Sequence, residues 1–205
     1  MSGVRIHTQV PLPIRRKAEK AEKAELVAQL TTFEGLPDAR EHFALVLGDV
    51  AGQSAPLVRV HSECVTGDVF GSQRCDCGEQ LDAAIERMAH AGEGGVIVYL
   101  RQEGRGIGLA AKVAAYALQD QGLDTYSANE ALGLPADARD YRVAADMLQA
   151  LGLRRIHLLS ANPEKARALK EAGLDLAQIT PLALSANDWN RRYLLDKHKR
   201  FTQSG

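Results

Sequence analysis

Residues 94–109 read G-G-V-I-V-Y-L-R-Q-E-G-R-G-I-G-L, and this stretch holds a strand, a turn and the entrance to a helix. Val96 to Leu100 form an uncharged, largely β-branched run, the composition of a buried strand. Glycines at 104, 106 and 108 open backbone conformations closed to other residues and let N–H groups approach a ligand. Leu109 to Gln121 is then predicted as a helix, whose N-terminus favours anions. The spacing is G-x-G-x-G rather than the dinucleotide G-x-G-x-x-G, so a Rossmann reading is weak, and an ordinary β-to-α turn stands as the alternative.

The same texture extends in both directions. Upstream, F-A-L-V-L-G-D-V-A-G from Phe43 and P-L-V-R-V-H-S-E-C over 56–64 read as strands, and Gln80 to Ala91 places Leu81, Ala84, Ile85 and Met88 on one helical face before a stop at Gly92. Downstream, a helix is predicted over Asp137 to Leu151, a strand over Arg155 to Ser160, and a helix to Gly173 with Asn162 as N-cap and Pro163 at its first position. Alternating strands and helices predict an α/β fold with mixed sheets and packed helices, without an internal repeat. The tract R-R-K-A-E-K-A-E-K-A-E over 15–25 has no sustained apolar face, so residues 1–30 are expected to be a charged extension or linker and 31–205 a single catalytic domain.

With 25 Lys+Arg against 26 Asp+Glu the net charge is −1, which gives no bulk attraction to polymeric nucleic acid or to an anionic membrane. An anionic ligand must be met by a local basic cluster. No window approaches about 18 uncharged residues, so a cytoplasmic protein is expected. The 3 cysteines, an odd number, argue against a disulfide framework and for free thiols or metal ligation.

Cys64, Cys75 and Cys77 lie within fourteen positions, which suits zinc; three buried structural thiols are the alternative. Three protein ligands rather than four leave a position for water, whose pKa then falls to about 7. His61 is the nearest fourth candidate, but in a strand it shares a face with Arg59 and Glu63 while Cys64 points to the other, so an open site is expected. Lys165 falls in the first turn of its helix, where a cation is disfavoured unless an anion sits there, and Ser160 ends the preceding strand, where α/β sheets commonly bind ligands. Asp137 and Arg139, two apart, can act together at a helix entrance or on extended chain, with Asp137 as a plain N-cap the other reading.

Taken together, R-V-H-S-E-C (59–64), R-C-D-C-G (74–78), R-Q-E-G-R-G-I-G-L (101–109), Y-A-L-Q-D-Q-G-x-D-T (116–125) and A-N-x-x-L-G (128–133) closely resemble the GTP cyclohydrolase II family, which opens riboflavin biosynthesis. The resemblance runs from about Phe43 to Pro181. It implies a catalytic Zn²⁺ on Cys64, Cys75 and Cys77, and Mg²⁺ on the phosphates. It implies GTP contacts from Arg59, Val60, His61, Ser62, Glu63, Gln80, Glu103, Gly104, Arg105, Thr125, Ser160 and Lys165. Tyr116 corresponds to a tyrosine assisting at the base, Asp137 to the proton acceptor and Arg139 to the proposed nucleophile. The implied reaction converts GTP and water into formate, diphosphate and 2,5-diamino-6-(5-phosphoribosylamino)pyrimidin-4-one, and the implied assembly is a homodimer.

The chain departs from the family at Ser160, usually Thr, and at both ends: it lacks the opening L-P-T, and N-x-x-Y-L (190–194) and Lys197 are kept without the usual M-G-H. Two enzymatic alternatives remain. A relative stopping at the formylated product is disfavoured by Tyr116, and a zinc nucleobase deaminase, suggested by His61-Ser62-Glu63 as H-x-E, lacks the P-C-x-x-C it needs. A non-catalytic nucleotide-binding regulator is the third, and retention of Tyr116, Asp137 and Arg139 speaks against it.

Overall fold

The computed structural model describes residues 3–15, 26–90, 94–135 and 137–182, which divide into two compact units. The first gathers residues from Met1–His61, Leu81–Arg101 and Tyr141–Leu182, the second from Ser62–Gln80 and Gln102–Asp140.

In the first unit the strands are β1 (Arg5–Ile14), β2 (Leu26–Glu34), β3 (Phe43–Leu47), β4 (Leu57–Ser62, its last residue falling in the second unit), β5 (Gly95–Leu100), β6 (Arg155–Leu159) and β7 (Asp175–Thr180). They form one mixed sheet in the order β1-β2-β3-β5-β4-β6-β7. The pairs β1–β2, β2–β3 and β3–β5 are antiparallel, and β4–β6 and β6–β7 are parallel. The apolar run of β5 explains its central place. Alternate side chains enter two different cores: Val96, Val98 and Leu100 join Val143, Ala144, Met147 and Leu148, whereas Ile97 joins Ala84 and Met88. Helix α5 (Arg142–Ala150) thus covers one face, and the later turns of α2 (Cys77–His90) the other. Helix α6 (Pro163–Glu171) begins as expected, with Asn162 Oδ1 accepting the Glu164 N–H at 2.9 Å.

The second unit holds α1 (Val65–Asp68), the first turn of α2, a 3₁₀ turn (Glu103–Gly106), α3 (Leu109–Asp120) and α4 (Thr125–Ala131).

Three expectations change. Residues 5–14 and 26–30, read as extension, are strand and part of the sheet. Helix α5 starts at Arg142 rather than Asp137, because the chain before it is non-helical and bonded elsewhere, the Ala138 N–H to Arg105 O. Strand β7 was not anticipated: its residues are mostly exposed, so D-L-A-Q-I-T has no apolar run to read. The stop expected at Gly92, the tract 16–25 and the motifs over 190–197 lie outside the described residues.

Candidate active site

The site in the second unit is built around sulfur. Cys64 caps α1: its Sγ accepts the Gly67 N–H at 3.4 Å while its own N–H donates to Asp68 Oδ2 at 3.0 Å. Cys75 lies in the following loop and Cys77 opens α2, and the three sulfurs lie within 4.8 Å of one another, with Cys64 and Cys75 at 3.6 Å. A tetrahedral site with metal–sulfur bonds of about 2.3 Å needs sulfurs about 3.8 Å apart, so these thiols fit zinc. Gly67 makes room for them: a Cβ there would lie 3.1 Å from Cys75 Sγ and 3.2 Å from Cys64 Sγ. Hydrogen bonds from the Cys75 and Cys77 thiols, opposed by burial and aided by Lys112, hold the Cys64 thiol far below its ordinary pKa. The same sharing pushes Cys75 up to about 11 and raises Cys77. Among the described residues these cysteines are the one His/Cys/Asp/Glu group suited to a metal, which leaves the set at three.

The glycine loop is fixed from beside the cluster. The Glu103 carboxylate accepts the Gly104 N–H and the Lys112 ammonium, both at 2.8 Å, on Oε1, and the Val65 N–H at 2.6 Å on Oε2. It is buried and anchors the loop, a duty beyond the nucleotide contact expected of it. Gly104, Arg105, Gly106 and Gly108 all have positive φ, and Arg105 at φ 60 is one of few non-glycine residues there. Gly106 permits a close approach, since a Cβ on it would lie 3.0 Å from the Ala138 carbonyl carbon and oxygen. Beside it the Ala138 N–H donates to Arg105 O at 2.9 Å.

That contact holds Asp137 and Arg139 on non-helical chain just before α5, where residues two apart can meet. The Arg139 guanidinium grips the Asp137 carboxylate in a two-pronged pair, with Nε to Oδ1 at 2.9 Å, and each side chain is 17% exposed. Burial opposes the charged form of Asp137, but the bonds and charge of Arg139 prevail and lower its pKa. Asp137 therefore does not cap α5; it accepts the Arg139 N–H at 3.1 Å instead.

Tyr116 lies one turn beyond Lys112 on α3, with its hydroxyl 3.4 Å from Thr66 Oγ1. Arg74 stacks on its ring at 4.9 Å and is itself held by Asp120 at 2.8 and 2.9 Å. Burial raises the pKa of Tyr116. One cleft is lined by all three cysteines with Ser62, Arg105, Tyr116 and Arg139. Ser62 Oγ and Gln102 Oε1, also on its wall, are buried without a hydrogen-bond partner among the described residues. Glu63 lines the cleft too, Gln80 donates to Asp76 Oδ2 at 2.6 Å, and Thr125 opens α4.

Arg59, Val60, His61, Ser160 and Lys165 belong to the first unit, at the C-terminal ends of the parallel strands β4 and β6 or on α6. Both cations are buried and bonded to backbone: Lys165 Nζ donates to Val60 O at 2.8 Å, and Arg59 Nη1 to Leu159 O at 3.0 Å. Lys165, in the first turn of α6, thus has a backbone acceptor within the protein. Ser160 Oγ accepts the Asn162 N–H at 3.0 Å, and His61 stacks on Tyr99 at 5.4 Å.

The family model for GTP cyclohydrolase II matches residues 16–181. GTP cyclohydrolase-2 of Vibrio cholerae is 49% identical over 176 residues, 85% of this chain and 88% of that protein. Its counterpart in Psychromonas ingrahamii is 50% identical over 177 residues (86% and 88%), and that of Neisseria meningitidis serogroup A 51% over 168 (81% and 85%). The chain belongs to the GTP cyclohydrolase II family. Among solved structures, RibBX of A. baumannii, a two-domain 3,4-dihydroxy-2-butanone 4-phosphate synthase, matches 89% of this chain and 40% of its own at 20% identity and a TM-score of 0.42, too distant to bear on the site.

As a GTP cyclohydrolase II, the protein is a hydrolase acting on GTP. The candidate site includes residues to which the sequence reading gave no role: Lys112 and Thr66, which lie outside the quoted motifs, and Arg74 and Gln102, which lie within them. One signal was present for the first: Lys112, Tyr116 and Asp120 recur at four-residue intervals, so they share a face of α3. No helix among the described residues is long and apolar enough to cross a membrane.

Proposed function

We propose that this GTP cyclohydrolase II uses zinc to open the imidazole ring of GTP, releasing formate and diphosphate and leaving 2,5-diamino-6-(5-phosphoribosylamino)pyrimidin-4(3H)-one for riboflavin synthesis. The observation that carries this reading is the three-thiol cluster sharing a cleft with Tyr116 and Arg139. Held by Cys64, Cys75 and Cys77, zinc would supply Lewis acidity and a water acidified to a pKa of about 7. Water adds to guanine C8 and the C8–N9 bond breaks; a second water then cleaves the formamide at C8–N7, and formate leaves. Tyr116, kept protonated at neutral pH, donates to the departing nitrogen.

At the α-phosphorus a third water displaces diphosphate. Arg139 stabilises the phosphoryl charge there, and Asp137 aims it. A covalent guanidine–phosphate would need Asp137 to take a proton from Arg139, and a carboxylate held below its usual range is a poor base for a group whose pKa exceeds about 12. Ser62, Glu63, Gln80, Gly104, Arg105 and Thr125 contribute nucleotide contacts, as do Arg59, Val60, His61, Ser160 and Lys165, with Mg²⁺ on the triphosphate. A cytoplasmic homodimer belongs to the same reading, and light scattering of the pure protein tests its mass.

The decisive experiment incubates the purified protein, its zinc content measured first, with GTP and Mg²⁺ and assays formate, diphosphate and the pyrimidine. Equal formate and diphosphate are expected. Diphosphate without formate would place the protein with relatives that stop at the formylated product, and turnover in zinc-free protein would overturn the metal assignment.

A further inference from the structure

Lys112 has no part in the nucleotide or metal contacts assigned above, yet it joins them. It sits one turn into α3 with a side chain 12% exposed, and its Nζ donates to Cys64 Sγ at 3.0 Å and to Glu103 Oε1 at 2.8 Å. The Glu103 carboxylate is bonded in turn to the N–H of Val65, next to Cys64, and to the N–H of Gly104, which opens the left-handed stretch of the glycine loop. Room for the lysine stem comes from Gly104, where a Cβ would lie 3.1 Å from Lys112 Cβ. One ammonium is therefore the shared partner of a metal-ligand sulfur and of the carboxylate that fixes the loop.

Charge explains why a cation belongs there. Three thiolates around a divalent ion carry one net negative charge, and Cys64, Cys75 and Glu103 are buried, so the anionic set needs a paired cation inside the protein. A lysine also presents several donors from one point, so it can serve sulfur and oxygen together. We propose that Lys112 is a positioning residue that holds Cys64 in the ligand set and Glu103 against the glycine loop, so that metal retention and GTP binding depend on the same ammonium. The inference rests on the zinc reading of the cluster.

The test compares Lys112→Met and Lys112→Arg with the wild-type holoenzyme in three measurements. These are zinc release to a chromogenic chelator, KM and kcat for GTP with zinc in excess, and the circular dichroism melt. Lys112→Met is expected to lose zinc about 10–100-fold more readily, the cost typical of an outer contact to a metal ligand, and to show a raised KM even when reloaded. Lys112→Arg, which keeps the charge, recovers most of the retention. A merely structural lysine would lower the melt and the active fraction but leave KM unchanged. Wild-type protein that holds no zinc overturns the zinc reading and this inference together. Zinc-bound wild type alongside a Met variant with equal retention and equal KM overturns this inference alone. If Lys112→Met does not fold, the neutral Lys112→Gln is read in the same way.

Discussion

Cys75 and Cys64 differ in what surrounds their sulfurs: Cys64 has a backbone N–H and an ammonium, and Cys75 has chiefly its fellow thiols. Cys75 thus depends more than Cys64 on a metal to become a thiolate, and Cys75→Ser replaces a soft donor with a hydroxyl that zinc binds poorly. Zinc content is expected to fall to background, and formate release by more than the roughly 100-fold an outer contact costs, with an unchanged far-UV spectrum. Zinc bound at wild-type stoichiometry in that variant would remove Cys75 from the ligand set. For Arg139 the two-pronged grip on Asp137 sets the expectation. A lysine keeps the charge but cannot reproduce the fork, so Arg139→Lys should release diphosphate about tenfold more slowly, some 1.4 kcal/mol of transition-state stabilisation. Arg139→Ala should cost roughly 10²–10³-fold. A guanidine–phosphate adduct found by mass spectrometry, with Arg139→Lys inactive, would favour the covalent route instead.

Among the elements, α2 begins where local preference and tertiary packing disagree. Gly78 is its second residue, and alanine would gain up to about 1 kcal/mol of helix propensity there. A Cβ at that point, however, would overlap the Gly67 carbonyl, and Gly67 is packed on the sulfurs. Gly78→Ala is therefore expected to lower the melting temperature and weaken zinc binding despite its better propensity; a stabilised variant with intact zinc would show that the loop yields freely. The strands legible in sequence, β3 to β6, enter the two cores through short, mostly apolar runs, whereas β2 contributes Ala28 and Phe33 from a stretch interrupted by Gln29, Thr31 and Thr32. Edge strand β1 alternates Ile6, Thr8, Val10, Leu12 and Ile14, a readable period, but Pro11 and Pro13 argue against a strand and are tolerated only because one side of β1 has no ladder to join. The start of α5 was illegible for a different reason: Ala138 bonds to the glycine loop, a contact across 33 positions that no local pattern carries. Where β3 and β5 meet, His42 ties their ends, accepting the Arg101 N–H on Nδ1 at 2.9 Å with Nε2 2.8 Å from Asp38 Oδ2. Burial lowers its pKa from 6.5, helped by Arg40 and Arg101 and opposed by Asp38. The unfolded chain therefore binds that proton more tightly, so the stability is complete above about pH 6.5 and declines as pH falls toward the folded value. His42→Gln, which cannot titrate, should flatten the melting temperature between about pH 6.5 and 5, and an unchanged slope would assign the dependence to another group.

For the whole molecule, the division of labour between the two units gives an expectation for the loss of metal. All of the sheet except Ser62, and both apolar cores, belong to the first unit, while the cysteines, the glycine loop and the Asp137–Arg139 pair belong to the second. Buried strand amides are held by aliphatic packing that involves no metal, whereas α1 and the loop after it place no residue in either apolar core and are held by hydrogen bonds, two of them ending on Cys64 Sγ and two on the carboxylates of Asp68 and Glu103. Local opening in a protein follows this kind of difference in contact density. Chelating the metal from the purified enzyme should therefore abolish turnover and speed amide exchange over residues 62–80 and 102–112, with β3, β5 and β6 exchanging at their former rates. Re-added zinc should restore both protection and activity. Exchange that quickens equally in the strands would mean that the metal supports the fold of the whole chain rather than the geometry of its site, and a loss of activity without faster exchange around Cys64 would mean that the cluster is held by its protein contacts alone.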